Sequence, residues 1–426
     1  MTARPPFKHL TFCFQEWLCP NGGRLRSVRI FDMKHILIVG KYYPPEAGGV
    51  ERYTRDVARI AAKTYRVTVV VHDRGRRDHI EHDGNITIIR CGTAKIISSQ
   101  PVSPSMLRHL RSLQPDLVLF NAPNFWGAGM LLLTAHKAPL LITHHADVYG
   151  RPFLKRALMP IYRQLARRAS GVIVNSRKNA SSSQDLPRRG CRFIEIPWAV
   201  DETNYRLDEA ERAQLLAERR RRFGDAPVVG FIGRFVRYKA LPVLVEALSR
   251  IDNLHALLIG DGPLRAQIEQ QVHAAGIAER VHFLGNLDER GKIRSMGMMD
   301  MLALPSNDTT EAFGIVQVEA QLMELPVVVS NLPTGVTDIT LNGVTGLLVP
   351  PNDPGALADA FARLIDDRAL AHRFGVAGRE RALRLFTMDT FERRFSGLFR
   401  ATLSGLPLDD LEKLFLAAPP NNAFKT

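Results

Sequence analysis

Short apolar runs rich in β-branched residues alternate with longer helical stretches along most of the chain, and they fall into two successive series. Short apolar strands separated by helices are typical of parallel sheets that are covered on both faces. Two such series predict an α/β protein with two doubly wound, Rossmann-like domains. The first series comprises 35–40, 67–71, 86–90, 117–120, 140–143, 172–175 and 193–196, and the second comprises 228–232, 255–260, 281–284, 301–304, 327–329 and 347–349.

The alternation is interrupted by a polar, arginine-rich stretch, which we interpret as the boundary between the domains. The predicted division is a leader at 1–32, an N-terminal domain at 33–207, a linker at 208–226, a C-terminal domain at 227–387, a helix at 388–404 returning to the N-terminal domain, and a tail at 405–426. The leader lacks the apolar core of about 7–15 residues that marks a signal peptide. It is either a disordered leader or an upstream extension, since Met33 and Lys34 open the first strand pattern.

The chain is basic, with 57 Lys and Arg against 43 Asp and Glu and a formal net charge of +14. Such a charge favours an anionic partner, although each basic cluster is equally compatible with a solvated face. No zinc-finger or RNA-binding signature occurs, so nucleic acid is not an expected partner. The four cysteines show no metal-binding spacing and favour a reducing cytosol. No apolar run reaches the ~18–20 residues needed to span a bilayer.

Several unusual residues directly follow predicted strands. They are Gly49 and His145 in the first domain, and Arg234, Lys239, Gly262 and Glu311 in the second. Ligands of open α/β sheets bind beyond the carboxyl ends of the strands, so we expect these residues to surround one cleft between the domains. In the stretch His144-His145-Ala146-Asp147, the nearby Asp147 is expected to orient a histidine and raise its basicity. A structural histidine pair is the alternative.

Glu311 and Glu319 stand eight positions apart in the second domain. The turn-rich residues 305–308 predict a loop at Glu311, whereas residues 320–323 indicate that Glu319 lies in the first turns of a helix. The free backbone N–H groups of that helix start would face whatever the loop holds. Two carboxylates beside such a site suit a sugar attached to a phosphate. A loop acid and a solvated helix acid are the alternative.

Arg234 and Lys239 follow a glycine turn and enter a helix. A diphosphate needs fixed positive charge near a helix N-terminus, which a rigid arginine fork and a mobile lysine can supply. The chain contains no Asp-x-Asp that could hold a divalent ion on a diphosphate. The two cations are therefore expected to neutralise the diphosphate themselves, and we expect neither a metal nor a cofactor. Surface cations at a strand–helix turn are the alternative.

Ordered motifs in the second half carry a family resemblance. They are Gly233-Arg234 with Tyr238-Lys239, 259–264, 283–285, the Glu-x7-Glu stretch 311–320, 326–328 and 343–347, and looser matches follow at 48–49 and 145–147. In this order the motifs resemble those of the retaining glycosyltransferases of family 4, which have the GT-B architecture. The resemblance covers about residues 34–400.

The resemblance implies a division of roles among the site residues. Glu311 and His145 are the implied catalytic residues, Glu311 holding the donor sugar and His145 contacting it near the acceptor. Transfer would retain the anomeric configuration, by front-face attack and without a covalent nucleophile. The implied donor-binding residues are Arg234, Lys239 and Gly49 at the diphosphate, Glu319 at the ribose, the backbone of Phe313, Gly314, Ile315 and Val316 at the sugar, and Gly262.

Thr-Gly-Val at 334–336, together with 311–317 and 145–147, is similar to bacterial exopolysaccharide and O-antigen mannosyltransferases that use GDP-mannose. That similarity implies a polyprenyl-diphosphate-linked or glycan acceptor, and a location in the cytoplasm or at the inner face of the cell membrane. The basic amphipathic segment 152–169, with an apolar side of Leu154, Leu158, Ile161 and Leu165, fits contact with anionic lipid. A core helix with a solvated basic side is the equal alternative.

Three departures from the family pattern occur, at Ala240 and within 321–324 and 333–338. They leave other functions open, namely a transferase with a UDP-sugar donor, or a sugar-nucleotide epimerase or hydrolase on the same fold. A non-catalytic, basic anion-binding protein is a further alternative. The presence of Arg234, Lys239, Glu311 and Glu319 argues against a degenerate site.

Overall fold

The computed structural model describes residues 33–46, 48–97, 100–134, 136–148 and 152–408. The predicted leader 1–32 and the tail from 409 onward lie outside these residues. From Lys34 onward the described residues belong to one compact unit, built on two parallel sheets. No helix among them is long and apolar enough to cross a bilayer.

The first half is built around an eight-stranded sheet. The strands in this half of the chain are β1 (His35–Val39), β2 (Arg66–His72), β3 (His79–Asp83), β4 (Ile86–Cys91), β5 (Lys95–Ile97), β6 (Gln100–Val102), β7 (Leu117–Ala122), β8 (Leu140–His144), β9 (Gly171–Val174) and β10 (Phe193–Glu195). The order across the sheet is β10-β9-β8-β7-β1-β2-β4-β3, and β5 pairs only with β6. The seven predicted strands of this half are confirmed.

The first sheet departs from the all-parallel prediction at one edge, where β3 runs antiparallel to β4. The sequence of β3 is His-Ile-Glu-His-Asp, and it is largely exposed, so it carries no apolar run. Inside the sheet, alternate residues of β1 face opposite cores. Ile36 and Ile38 belong to one apolar cluster and Leu37 and Val39 to another, which accounts for the continuous apolar sequence of this strand.

Helices cover both faces of the first sheet. They are α1 (Gly49–Ala62), α2 (Ser105–Ser112), α3 (Phe125–Thr134), α4 (Pro152–Arg168) and α5 (Arg177–Ser182). A further helix, α6 (Glu209–Phe223), occupies most of the stretch interpreted as a linker and starts with a capping box formed by Asp208 and Glu211. Only Leu215 and Phe223 of α6 are buried, and both pack in a core of the second half, which explains the polar sequence.

The second half is a six-stranded, fully parallel sheet, and its six predicted strands are confirmed. Its strands are β11 (Val228–Ile232), β12 (His255–Ile259), β13 (Val281–Gly285), β14 (Met301–Leu304), β15 (Val327–Ser330) and β16 (Gly346–Val349), in the order β13-β12-β11-β14-β15-β16. Its helices are α7 (Leu241–Ser249), α8 (Arg265–Ala274), α9 (Glu289–Met296), α10 (Val316–Leu322), α11 (Val336–Ile339), α12 (Pro354–Asp366) and α13 (Arg368–Leu385).

The last described helix, α14 (Met388–Leu403), leaves the second half and packs on α1. Phe391, Phe395 and Phe399 recur every four residues and therefore form one stripe, which is buried in a core of the first half. The two chain segments that connect the halves lie side by side, because Val200 N donates to Phe386 O at 2.8 Å.

Candidate active site

A cavity of about 760 Å³ lies between the two halves. The first half contributes the start of α1, and the second half contributes α9 and the start of α10. Its lining includes Gly49, Arg52, Tyr53, Trp198, Tyr205, Glu289, Lys292, Ile315 and Glu319. The start of α1 follows β1, so the cavity lies at the carboxyl end of that strand, where ligands of such sheets bind.

Glu319 lies in the first turn of α10, as its sequence context predicts, and it faces this cavity. Its carboxylate is mostly buried and lies 2.8 Å from Lys292 Nζ. Lys292 also contacts Glu289 at 3.2 Å, and Glu289 lies 3.7 Å from Arg52 of the first half. This chain of charges therefore connects the two halves across the cavity.

Tyr205 belongs to the same network and donates its hydroxyl to Glu289 at 2.8 Å. Burial raises the pKa of Tyr205, and the negative charges of Glu319 and Glu289 raise it further. The phenol therefore stays protonated at neutral pH and acts as a hydrogen-bond donor beside the two carboxylates.

Glu311 lies in the predicted loop after β14, and its carboxylate contacts Lys239. The distance from Lys239 Nζ to Glu311 Oε2 is 2.5 Å, and Ser306 Oγ donates to the same oxygen at 2.7 Å. The two charged side chains are 10% and 8% exposed. A buried carboxylate is stable only when it is paired and hydrogen-bonded, and these two partners provide that. Next along the loop, Phe313 is buried and Gly314 has a φ of +70°, which glycine adopts without strain.

Arg234 is exposed on the turn after β11, whereas Gly262 packs against backbone. A Cβ on Gly262 would lie 2.5 Å from Phe235 O, so only glycine lets these two turns approach. Gly262 therefore packs against the turn that carries Arg234 and does not line the cavity. The described residues contain no group of three or more His, Cys, Asp or Glu side chains placed to hold a metal ion.

His145 lies at the end of β8 and is 4% exposed. Its ring packs edge-on against Tyr53 and Trp198, with centroid distances of 4.6 and 5.5 Å. Neither ring nitrogen has a hydrogen-bond partner among the described residues. Burial, and secondarily His144, lower the pKa of His145 to about 3, so the ring is neutral at pH 7.

The histidine that Asp147 orients is His144 rather than His145. Asp147 Oδ1 lies 3.1 Å from His144 Nε2, and Tyr162 Oη lies 2.8 Å from the other ring nitrogen of His144. β8 ends at His144, and the irregular backbone of residues 145–148 brings the Asp147 carboxylate back to the His144 ring.

Two family models match the chain, and each covers one half. The model described as Glycosyltransferase Family 4 matches residues 47–204, and the model described as Glycosyl transferases group 1 matches residues 214–381. The chain belongs to glycosyltransferase family 4. Such enzymes transfer a sugar from a nucleotide-sugar donor to a glycan or lipid acceptor.

The relatives of this glycosyltransferase include two mannosyltransferases. It is 25% identical over 380 residues to O-antigen chain mannosyltransferase C of Escherichia coli, covering 87% of this chain and 99% of the relative. It is 25% identical over 394 residues to the GDP-mannose-dependent alpha-(1-6)-phosphatidylinositol monomannoside mannosyltransferase of Mycobacterium tuberculosis, covering 86% and 98%.

Among solved structures, the glycosyltransferase resembles HepE of Anabaena in complex with UDP. The TM-score is 0.71 at 21% identity, and the match covers 87% of this chain and 100% of that structure. The likeness confirms the predicted GT-B fold.

The glycosyltransferase structure divides the predicted site residues into groups. Gly49, Ile315 and Glu319 line the cavity, and Lys239 contacts Glu311. Neither Lys239 nor Glu311 lines this cavity, so the expectation that all the predicted residues surround one cleft is wrong. The other predicted residues outside the lining are Arg234, Gly262, Phe313, Gly314, Val316 and His145. Gly49 is exposed beside Trp198, since a Cβ on Gly49 would lie 3.1 Å from the indole ring.

Sequence reasoning missed the partners of the predicted residues. Lys292 and Tyr205 contact the network of Glu319, Ser306 contacts Glu311, and Trp198 lies beside both Gly49 and His145. Apart from the contact of Ser306, these contacts join residues that are distant in sequence. The signals available were weak, namely the i,i+3 spacing of Glu289 and Lys292 and the position of Ser306 just after β14.

Proposed function

We propose that this glycosyltransferase is a retaining, metal-independent hexosyltransferase. In this proposal it moves mannose from GDP-mannose to a polyprenyl-diphosphate-linked or glycan acceptor during synthesis of a bacterial surface polysaccharide. The observation that carries the proposal is the buried contact of Lys239 with Glu311 on loops that follow β11 and β14. In a family 4 enzyme, the lysine of this pair supplies a positive charge for a phosphate of the donor. The neighbouring glutamate supplies a carboxylate that can bind hydroxyl groups of the sugar.

The proposed reaction breaks the bond between the sugar C1 and the phosphate oxygen of the donor. The acceptor oxygen forms its bond to C1 on the same face, and its proton passes to the leaving phosphate oxygen. Negative charge develops on the leaving diphosphate, and fixed cations stabilise such charge without reorganising. Lys239 and the exposed Arg234 supply these cations, which accounts for a reaction without a metal.

The remaining roles follow from position. Gly49 begins α1 and lines the cavity, so the free N–H groups of this 14-residue helix are available to the diphosphate. Glu319 lines the same cavity and is proposed to bind the ribose hydroxyls, with Lys292 holding its carboxylate in place. Glu311 and the backbone of 313–316 are proposed to hold the sugar.

GDP-mannose is proposed as the donor because one of the relatives described above is named as GDP-mannose-dependent. The structural likeness to HepE, which was solved with UDP, favours a UDP-sugar as the second candidate. An epimerase or hydrolase on this fold would form product without any acceptor, which distinguishes it from a transferase.

A thermal-shift panel of GDP-mannose, UDP-glucose and ADP-glucose tests the donor. We expect GDP-mannose to stabilise the protein by about 2.7 kcal/mol at a concentration about 100 times its Kd, because only the folded state binds it. Lys239→Met should abolish the shift. Arg237→Met is the matched control, because Arg237 is an exposed cation in the same short helical turn, and it should preserve the shift. A shift with UDP-glucose alone would establish the second candidate, and no shift with any donor would refute the transferase proposal.

We also propose peripheral contact with the membrane, through exposed arginines of α4 rather than through its apolar side. The apolar side predicted for 152–169 faces inward, since Leu165 is buried and Leu158 and Ile161 pack against the same core. The side chain of Leu154 lies outside the described side chains. Arg163 donates to Gln184 O at 2.6 Å. The exposed Arg167 and Arg168 therefore remain as cations for anionic lipid.

Flotation with anionic and neutral vesicles tests this contact. Reversing the charges of Arg167 and Arg168 to glutamate should weaken binding to anionic vesicles by more than about tenfold, because each cation contributes about 1 kcal/mol near such a surface. The matched control reverses Arg220 and Arg221, which are exposed on α6 in the second half. Equal loss in both variants, or no binding of the unmodified protein, would contradict the proposed contact.

A further inference from the structure

Residues at the start of α5 in the first half contact the Glu311 loop and the loop that leads into α11 in the second half, together with α11 itself. We call these contacts the clasp, and they join Ser176, Lys178 and Asn179 to Ala312, Gly335, Thr337 and Asp338. The clasp lies outside the lining of the 760 Å³ cavity, and it reaches the loop that carries Glu311.

The inner part of the clasp is formed by Asn179, which is 9% exposed. Its Nδ2 donates to Ala312 O at 2.7 Å, and its Oδ1 accepts from Gly335 N at 3.3 Å. Its amide group also contacts Asn175 Oδ1 within the first half. One amide group therefore satisfies a backbone acceptor and a backbone donor of the opposite half, which an alanine cannot do.

The outer part of the clasp joins the half-exposed Lys178 and the buried Ser176 to Thr337 and Asp338, and none of its hydrogen bonds reaches the Glu311 loop. Lys178 Nζ lies 2.7 Å from Asp338 Oδ1 and 2.8 Å from Thr337 Oγ1, and its side chain is 48% exposed. Ser176 Oγ donates to the other oxygen of Asp338 and also accepts from Lys178 N. An ion pair with this exposure contributes little to stability.

The two loops held by the clasp are also tied to each other. Thr334 Oγ1 donates to Glu311 O at 2.8 Å, and Gly335 N donates to Ala312 O at 3.0 Å. The packing leaves no room for a side chain, since a Cβ on Gly335 would lie 2.8 Å from Ala312 O and 2.9 Å from Ser176 Cβ. The backbone around Glu311 is therefore fixed from both halves at once.

We propose that Asn179 is a positioning residue that sets the loop of Glu311 when the two halves meet. Ala312 stands between Glu311, proposed to hold the sugar, and Phe313, so a displaced Ala312 carbonyl displaces both. The inference rests on the proposed function for its effect on transfer, but its structural part does not. Asn179 contacts neither Arg234 nor Lys239, so the binding of the nucleoside diphosphate is expected to be independent of it.

Hydrogen–deuterium exchange of the full-length protein tests the structural part without any substrate. Asn179→Ala and the isosteric Asn179→Asp, which places an oxygen against Ala312 O, should each raise exchange of the amides in 311–316. Lys178→Met is the matched control, because it removes a contact of the same interface away from this loop, and it should leave these amides unchanged. Unchanged exchange in both Asn179 variants would overturn the inference.

Kinetics then separate positioning from a general weakening of the interface. Asn179→Ala should lower kcat about 100-fold, as expected for a displacement of about 1 Å, while the affinity for GDP or UDP stays that of the unmodified protein. Lys178→Met should retain nearly all activity. Equal losses of kcat in the Asn179 and Lys178 variants would show that the clasp only holds the two halves together and that Asn179 does not position the Glu311 loop. An unmodified protein that transfers no sugar would instead refute the proposed function, and the exchange experiment would still decide the role of Asn179.

Discussion

Replacing Glu311 by glutamine is expected to lower kcat for sugar transfer by about 10²–10³-fold, the usual cost of losing one preorganised electrostatic contact in an active site. Glutamine keeps the shape of the side chain and can still accept from Ser306, but it removes the charge that lies 2.5 Å from Lys239. Initial rates with a saturating donor measure the effect. Glu324→Gln is the control, because Glu324 is an exposed glutamate that pairs with Arg379.

Glu311→Ala is a poorer test because it also affects folding. It would leave the buried ammonium of Lys239 without its counter-ion, and breaking a buried pair costs ~3–5 kcal/mol. Urea denaturation should show this loss in Glu311→Ala, and the added replacement Lys239→Met should recover much of it. Activity close to that of the unmodified enzyme in Glu311→Gln would remove Glu311 from the catalytic machinery.

Replacing His145 by phenylalanine is expected to lower kcat about 100-fold. Phenylalanine preserves the aromatic packing against Tyr53 and Trp198 but removes both ring nitrogens, which are buried and have no partner among the described residues. Because burial lowers its pKa to about 3, His145 would act through a neutral hydrogen bond rather than through a positive charge. Such a contact requires the packing around the ring to open, because both nitrogens are buried.

The same variant changes the acid sensitivity of the protein. The pKa of His145 lies at about 3 in the folded state, against a reference value of 6.5, so the unfolded chain binds more protons between these pH values. Above pH 6.5 the neutral ring makes its full contribution to the free energy of unfolding. From pH 6.5 down to about pH 3 this contribution falls by about 1.4 kcal/mol for each pH unit. In His145→Phe, the free energy of unfolding should therefore depend less steeply on pH between pH 6 and pH 4.

Two controls accompany the His145 variant. His255→Phe, at a histidine stacked on His282 in the second half, should leave transfer unchanged. Transfer by His145→Phe at the unmodified rate would exclude His145 from the site, whatever its effect on acid stability.

The fold was predictable because its strands are buried on both faces and are therefore apolar throughout. The exceptions are β3, whose polar sequence lies at an exposed edge, and the β5–β6 hairpin, in which Ile96 and Ile97 are exposed. The positions of Glu311 in a loop and Glu319 in a first helical turn were also predictable, because turn residues and helix formers act locally.

The partners of individual side chains could not be predicted from the sequence. The choice of His144 over His145 by Asp147 depends on the irregular backbone after β8, and the pairing of Glu319 with Lys292 depends on how α9 and α10 pack. The orientation of α4 had two equal interpretations, because a basic amphipathic sequence fits either a lipid surface or a core. The burial of Leu165 shows that this part of the apolar side faces the core.

The return of α14 to the first half affects the order in which the chain can fold during synthesis. The phenylalanine stripe of α14 fills the same core as Tyr53 and Val57, although more than 300 residues separate them in the sequence. Domains usually fold as units in the order in which they leave the ribosome. Here the half that is translated first completes its core last, because the face of α1 that α14 covers stays open until α14 has emerged.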